Sequence, residues 1–341
     1  MKFSEYMNEW LYAKDGYYAK FREIGKGGDF YTAVSSSIFF GGSIANRLLK
    51  VIDEGFLKED TTIVEIGAHQ GYMLADIIQF IYTLRPKLLD TLKFVIVEPQ
   101  KENIEAQKRY FKDSFGDVVE LNHVRSLEEI DLKSAFVVSN ELFDAFVCEV
   151  IKDDQMLYID GDRVYFDKQD EKTRSLCKKY DIKRAELGIG YEEFALSLAK
   201  GIERFEFVSF DYGDMQKRED YSIRIYHKHK TYPFFALTDF VEDEKERVRD
   251  ITLSELFKRS DLTYDVNFTH LIGAFAEAGI DLKLFKTQMS MLVEFGITEL
   301  LDLFAKNSDE NSFKSEINRV KVLIDPAFMG ERFKGVVFRK S

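Results

Sequence analysis

Residues 61–98 read TTIVEIGAHQGYMLADIIQFIYTLRPKLLDTLKFVIVE, and the pattern of this stretch decides the fold. Thr62-Ile63-Val64-Glu65-Ile66 is a short apolar run that breaks at Gly67-Ala68-His69-Gln70-Gly71. It resumes as Tyr72-Met73-Leu74-Ala75-Asp76-Ile77-Ile78, with apolar residues at helical spacing. The pattern predicts strand, glycine turn, helix. A second strand, Phe94-Val95-Ile96-Val97, ends on Glu98. In a doubly wound α/β sheet both turns lie at the carboxyl edge of the strands, so a glycine-walled hollow faces a carboxylate, and nucleotide-like ligands bind there.

The spacing discriminates among such ligands. A dinucleotide site wants Gly-x-Gly-x-x-Gly, because the pyrophosphate approaches the backbone at the helix N-terminus, and it places its acidic residue about twenty positions on. Here the turn is Gly-x-x-x-Gly and the gap to Glu98 is wider. That suits S-adenosylmethionine, which has no phosphate, carries a sulfonium chain to pass over the turn, and offers two ribose hydroxyls to a carboxylate. The plainer alternative is that Gly67 and Gly71 close a tight strand–helix joint while Glu98 caps the next helix.

Bulk properties bound the remainder. The chain has 341 residues, 45% hydrophobic and 14% aromatic, enough to bury a large core in one elaborated domain or two. A net charge of −12 argues against a mainly electrostatic grip on nucleic acid, which needs Lys and Arg to replace counterions. An acidic surface suits a basic protein segment better. Cys148 and Cys177 lie far apart, and residues 1–10 lack the apolar run of a signal sequence, so reduced thiols and a cytoplasmic location are expected. No stretch is long and apolar enough to insert in a membrane.

Along the chain, Phe3, Tyr6, Met7, Trp10 and Leu11 fall on one helical face. Gly25, Gly27 and Gly28, followed by Asp29-Phe30-Tyr31-Thr32-Ala33, let the backbone approach a ligand, a surface loop being the alternative. Residues 37–52 predict a helix with Arg47 and Lys50 exposed, and residues 101–115 a surface helix. A weaker strand lies near 118–124. A clear one at Ala135-Phe136-Val137-Val138 runs into Ser139-Asn140-Glu141-Leu142-Phe143-Asp144. Such a strand end opens beside the cofactor, so Asn140, Glu141 and Asp144 are candidates for contacting a methyl acceptor, or alternatively caps of the following turn. Asp160-Gly161 signals a hairpin, and residues 172–200 read as a polar helical insertion. The sheet resumes at 205–210. His227 and His229 lack a third ligand at suitable spacing, so no metal is expected. A helix is expected at 271–278 and a last strand at Gly335-Val336-Val337-Phe338, compatible with an antiparallel edge strand.

Taken in order, Gly28-Asp29-Phe30-Tyr31-Thr32-Ala33, Phe40-Gly41, Val64-Glu65-Ile66-Gly67 with Gly71 and Asp76, Asn140-Glu141 with Phe143-Asp144-Ala145, Asp211-Tyr212-Gly213, Asp261-Leu262-Thr263, Gln288 and Met329-Gly330-Glu331 resemble the MidA family over nearly the whole chain. These are bacterial relatives of a mitochondrial complex I assembly factor. The resemblance implies a Rossmann-like class I methyltransferase with helical and β-hairpin insertions, using S-adenosylmethionine. It further implies methylation of an arginine on a protein partner such as a respiratory complex I subunit. The chain departs from the family at Ala68 and His69, where the usual turn has Pro and Gly, and at Val34-Ser35 and Val147.

The implied segments are 1–60 as a helical and glycine-loop lid, 61–147 and 205–230 as the core with 148–204 inserted, 231–280 as a second insertion, and 281–341 as completion of the sheet. On this reading the loop around Gly28 and Asp29 closes over the cofactor, the Gly67-Ala68-His69-Gly71 turn holds its methionine end, Glu98 takes its ribose, and Thr32 and Glu65 are further cofactor-binding residues. Glu141 and Asp144 orient a guanidinium, with Asn140 aligning substrate or cofactor. A catalytically weak assembly protein on the same scaffold and an NAD-dependent oxidoreductase are the alternatives.

Overall fold

In chain order the strands are β1 Thr62–Ile66, β2 Lys93–Val97, β3 Leu121–Val124, β4 Leu132–Asn140, β5 Cys148–Lys152, β6 Gln155–Asp160, β7 Arg163–Lys168 and β8 Arg184–Gly188. They continue as β9 Ile202–Asp214, β10 Arg224–His227, β11 Lys230–Pro233, β12 Asp261–Thr263, β13 Val266–Asn267, β14 Asp281–Thr287 and β15 Phe333–Lys340. The computed structural model describes residues 1–19, 32–161, 163–215, 220–240, 248 and 250–341. Gly28 and Asp29 lie outside them. The chain divides into two compact units: the first takes described residues of 1–30 with Phe143–Glu193 and Tyr212–Glu277, and the second those of 31–142 with Phe194–Asp211 and Ala278–Ser341.

The second unit is built on a sheet ordered β14-β15-β9-β4-β1-β2-β3. β1 pairs parallel with β2 and β4, β2 with β3, and β4 with β9, while β15 runs antiparallel to β14. All five residues of β1 are buried, as a central parallel strand covered on both faces requires. The last strand is not at the edge as expected; it lies between β14 and β9. Its reason is legible afterwards: Val336, Val337 and Phe338 are consecutive and fully buried, and an edge strand with one solvated face would alternate.

Helices cover this sheet with faces set by spacing. Phe39–Asp53 buries Phe40, Ile44, Leu48 and Val51, one stripe at intervals of three and four, and Phe39 meets Phe80 of the Tyr72–Leu84 helix edge-on, ring centroids 5.4 Å apart. Arg47 is not exposed as its sequence context suggests. Its Nε and Nη2 donate to the fully buried Glu206 of β9 at 2.7 and 2.8 Å, and Arg339 Nε donates to the same carboxylate at 2.5 Å. Two guanidinium groups thus compensate one desolvated carboxylate.

The first unit begins with the Phe3–Tyr12 helix, which buries Phe3, Tyr6, Met7, Trp10 and Leu11 against Val150, Leu157, Ile225, Phe234 and Leu256. Trp10 Nε1 donates to Ser260 O at 2.6 Å. An antiparallel sheet runs β7-β6-β5-β8 and a smaller one β11-β10-β12, with the expected turn at Gly161 in left-handed backbone, φ 61°. Residues 184–188, expected within a helical insertion, instead form β8 beside β5. Val150 and Ile151 of β5 are both fully buried, so that strand needs a neighbour on each side. Cys148 and Cys177 are buried free thiols. Among the described residues no helix is long and apolar enough to cross a membrane.

Candidate active site

Strand register gathers most of the expected cofactor residues at one edge of the second unit. Ile66 of β1 is level with Val97 of β2, so Gly67 and Glu98 leave the sheet side by side. Glu65 is level with Val138 of β4, which sets Asn140 level with Gly67. β1 lies between β2 and β4, the point where successive connections diverge and ligands bind in an α/β sheet.

The turn itself is tightly determined. Gly67 and Gly71 take φ of 72° and 81°, a region where a side chain is penalised, and Gly71 N–H closes on Ala68 O at 2.7 Å. A Cβ on Gly71 would stand 2.9 Å from the Phe111 ring, so helix and sheet pack only because that atom is missing. His69 also adopts left-handed backbone, φ 47°, at the place where the resembled family carries glycine. Ala68 is buried and His69 half-buried.

Burial governs the charges here. Glu65, buried on β1, accepts the Leu74 backbone N–H at 3.2 Å, bracing the first turn of the Tyr72–Leu84 helix. Its carboxyl is pushed up to about 8, first by desolvation, with the nearby Asp76 adding to it. Burial likewise raises Asp76 to about 8, with the Glu316 charge contributing. Glu98 is 4% exposed and is raised by burial, partly offset by bonds from Gln100 N–H and from the side chains of Asn103 and Gln107. The Gln100 bond, 2.9 Å, makes Glu98 a brace for the Lys101–Phe115 helix as well. Thr32 is also engaged, its hydroxyl accepting Ser35 N–H at 3.2 Å as the cap of a short helix.

Past β4, Asn140 Nδ2 donates to Glu141 Oε1 at 2.8 Å, Glu141 N–H donates to Phe210 O at 2.9 Å, and Leu142 N–H donates to Asp211 Oδ2 at 3.1 Å. Glu141 is held with φ 50°, and both Asn140 and Glu141 are half-buried. Asp144 belongs to the first unit. There it accepts Thr263 Oγ1–H at 2.7 Å, and burial pushes it up to about 6. Nearby Asp261 accepts Tyr18 O–H at 2.8 Å and is raised to about 7 by burial and then by the Asp144 charge. Arg224 pairs with Asp265 at 2.5 Å and lies 4.9 Å from the Tyr212 ring centroid.

Sequence reading missed Gln107. It sits on the helix expected to be a surface one, yet is fully buried; its Nε2 donates to His69 O at 2.7 Å and its Oε1 lies 2.9 Å from His123 Nε2. The available signal was its position, three residues after Ile104 and four before Phe111, on the helix's buried face.

A parallel sheet of this order with a glycine turn and carboxylate at its switch point defines a class I methyltransferase fold. The model of the S-adenosyl-L-methionine-dependent methyltransferase family matches residues 43–286, and the chain belongs to that family. A curated relative is the mitochondrial protein arginine methyltransferase NDUFAF7 of Danio rerio, 22% identical over 366 residues, covering 97% of this chain and 81% of the relative. Among solved structures, a COG1565 superfamily member from Burkholderia thailandensis bound to S-adenosyl-homocysteine aligns with TM-score 0.78 at 22% identity, over 99% of this chain and 87% of that one. A native structure of a COG1565 protein from the same organism gives 0.76 with the same identity and coverage. The cofactor of the family is S-adenosylmethionine. The edge residues fit it: Gln70 Oε1 and Asn140 Oδ1 are buried acceptors with no hydrogen-bond partner among the described residues, and this cofactor carries ammonium and amine donors that would satisfy them.

Proposed function

We propose that this methyltransferase acts on an arginine side chain of a protein, with a respiratory complex I subunit as the acceptor implied by the family resemblance. The observation that carries the reading is the Asn140–Glu141 pair, level with the glycine turn and holding a carboxylate on left-handed backbone. The curated relative's arginine activity supports the choice of nucleophile.

In this reading the Gly67–Gly71 turn holds the methionine end, Glu98 takes the ribose hydroxyls, Glu65 braces the helix that follows, and Thr32 with Gly28 and Asp29 covers the ligand. S-adenosylmethionine, when bound, supplies a methyl group made electrophilic by the sulfonium. Guanidinium is a poor nucleophile because its charge is delocalised and its pKa exceeds about 12. A carboxylate accepting its N–H groups draws that charge away from the attacking nitrogen. Glu141 performs this task, and Asn140 fixes the carboxylate's orientation through its Nδ2 bond. Methylation of the guanidinium nitrogen would release one proton, which the half-buried edge at Glu141 lets pass to water. Positioning and electrostatics supply the rate.

The test is single-turnover transfer of labelled methyl to arginine peptides from complex I subunits. Glu141→Gln keeps the volume and should lower transfer about a hundredfold, equivalent to about 2.7 kcal/mol at 1.36 kcal/mol per tenfold, with cofactor affinity within a few-fold. A wild type that binds the cofactor but labels no arginine peptide refutes the arginine reading.

A further inference from the structure

Gln107 occupies a position where a leucine would fill the same face. Ile104 and Phe111 flank it one helical turn to either side, and all three are buried. A buried amide is costly unless its groups are bonded, and here both ends are. Nε2 donates to the carbonyl of His69, and Oε1 accepts from His123 Nε2 of β3. The His69 carbonyl can only accept, which fixes the amide with its NH₂ toward the turn and its Oε1 toward His123, and so places the ring proton on Nε2.

The consequence is that one side chain ties the turn after β1 to β3. His69 is a non-glycine residue in left-handed backbone, a conformation that persists only where neighbours determine it. We infer that Gln107 is a positioning residue of the cofactor site, holding the His69 peptide of the glycine turn in a fixed relation to His123 of β3 without itself touching the ligand. This rests on the assignment of the turn to the cofactor. A side chain with no solvent exposure acts on the ligand only through what it holds.

Two variants test it. Gln107→Leu removes all the bonds at similar volume. Gln107→Glu keeps the acceptor for His123 but replaces the donor to His69 O with a second acceptor. Both should weaken S-adenosylhomocysteine binding at least about tenfold by calorimetry. Both should also speed amide hydrogen exchange at Gln70 and Gly71 in the ligand-free protein while exchange in β1 and β4 stays as in the wild type. In a double-mutant cycle on S-adenosylhomocysteine binding, Gln107→Leu and His123→Phe should be non-additive, since each removes part of one arrangement. Wild-type affinity in both variants, or additivity in the cycle, overturns the inference. If the wild type itself binds no S-adenosylhomocysteine, the cofactor assignment of this edge fails. The exchange measurement then still decides on Gln107: unchanged rates at the turn show that it holds nothing there.

Discussion

Replacing Glu65 by glutamine isolates the cost of a buried carboxyl beside the Gly67–Gly71 turn. Glutamine keeps an oxygen to accept Leu74 N–H and nearly the same volume, so only ionisation is lost. In the wild type burial raises this group from 4.5 to about 8. Because the folded value lies above the unfolded one, the associated stability is complete below about pH 4.5 and is lost as pH rises through about 8. At roughly 1.36 kcal/mol per pH unit of separation the ceiling is about 5 kcal/mol, and structural relaxation and water entry at the higher effective dielectric of real interiors reduce it to about 2–3 kcal/mol. For a chain of this size that corresponds to several degrees in the melting midpoint. Asp76, Glu149 and Asp261, raised to about 8, 7 and 7 by burial, give the wild type a pH dependence of the same sign. The readout is therefore the difference between the two proteins: ligand-free melting at about pH 5 and about pH 8.5, where the wild type should lose more stability than Glu65→Gln. Identical losses within experimental error would refute the burial argument for Glu65.

His69→Gly should leave stability unchanged or raise it by up to about 1.6 kcal/mol. Relief of left-handed strain of about 1–2 kcal/mol is offset by about 0.4–1 kcal/mol of unfolded-chain entropy; a loss above about 1 kcal/mol in denaturant unfolding would show that the imidazole itself stabilises the turn. Glu98→Ala should weaken S-adenosylmethionine binding by about 1.5–3 kcal/mol, the range for hydrogen bonds to charged groups, and an unchanged dissociation constant removes Glu98 from the site. Glu206→Gln leaves Arg47 and Arg339 without their shared buried anion and should cost about 3–5 kcal/mol in denaturant unfolding; a cost under about 1 kcal/mol would mean that Glu54, which also approaches both guanidinium groups, takes over the pairing.

Local pattern carried the core of the fold because its strands and helices announce themselves by period. β1, β2 and β4 carry the apolar runs Ile63-Val64, Phe94-Val95-Ile96-Val97 and Ala135-Phe136-Val137-Val138, and the Phe3–Tyr12 helix buries the five residues its spacing selects. What escaped was pairing at a distance. β8 is a short polar-edged strand, Arg184–Gly188, whose partner Cys148–Lys152 lies more than thirty residues earlier, and nothing local distinguishes it from a helical insertion. Arg47 reads as solvated because its partner Glu206 is 159 positions away. Asp144 accepts a hydrogen bond from Thr263, 119 positions on, a pairing that no local pattern announces.

The site was legible to the extent that chemistry follows residue type, and illegible where it follows backbone conformation. Glycines at 67 and 71 announce positive φ; histidine at 69 and glutamate at 141 do not, yet both have it. Each such residue costs about 1–3 kcal/mol and survives only where surrounding bonds over-determine it. Those bonds are present: Gln107 holds the carbonyl of His69, and Phe210 O holds the N–H of Glu141. The two strained residues follow β1 and β4, adjacent parallel strands, at the edge where Asn140 Oδ1 and Gln70 Oε1 are buried acceptors awaiting donors. Strain, unsatisfied acceptors and raised carboxyls would each weaken a purely structural joint. Their concentration at one strand edge agrees with the proposed cofactor site, because the ligand's donors and charge would compensate the acceptors and carboxyls gathered there.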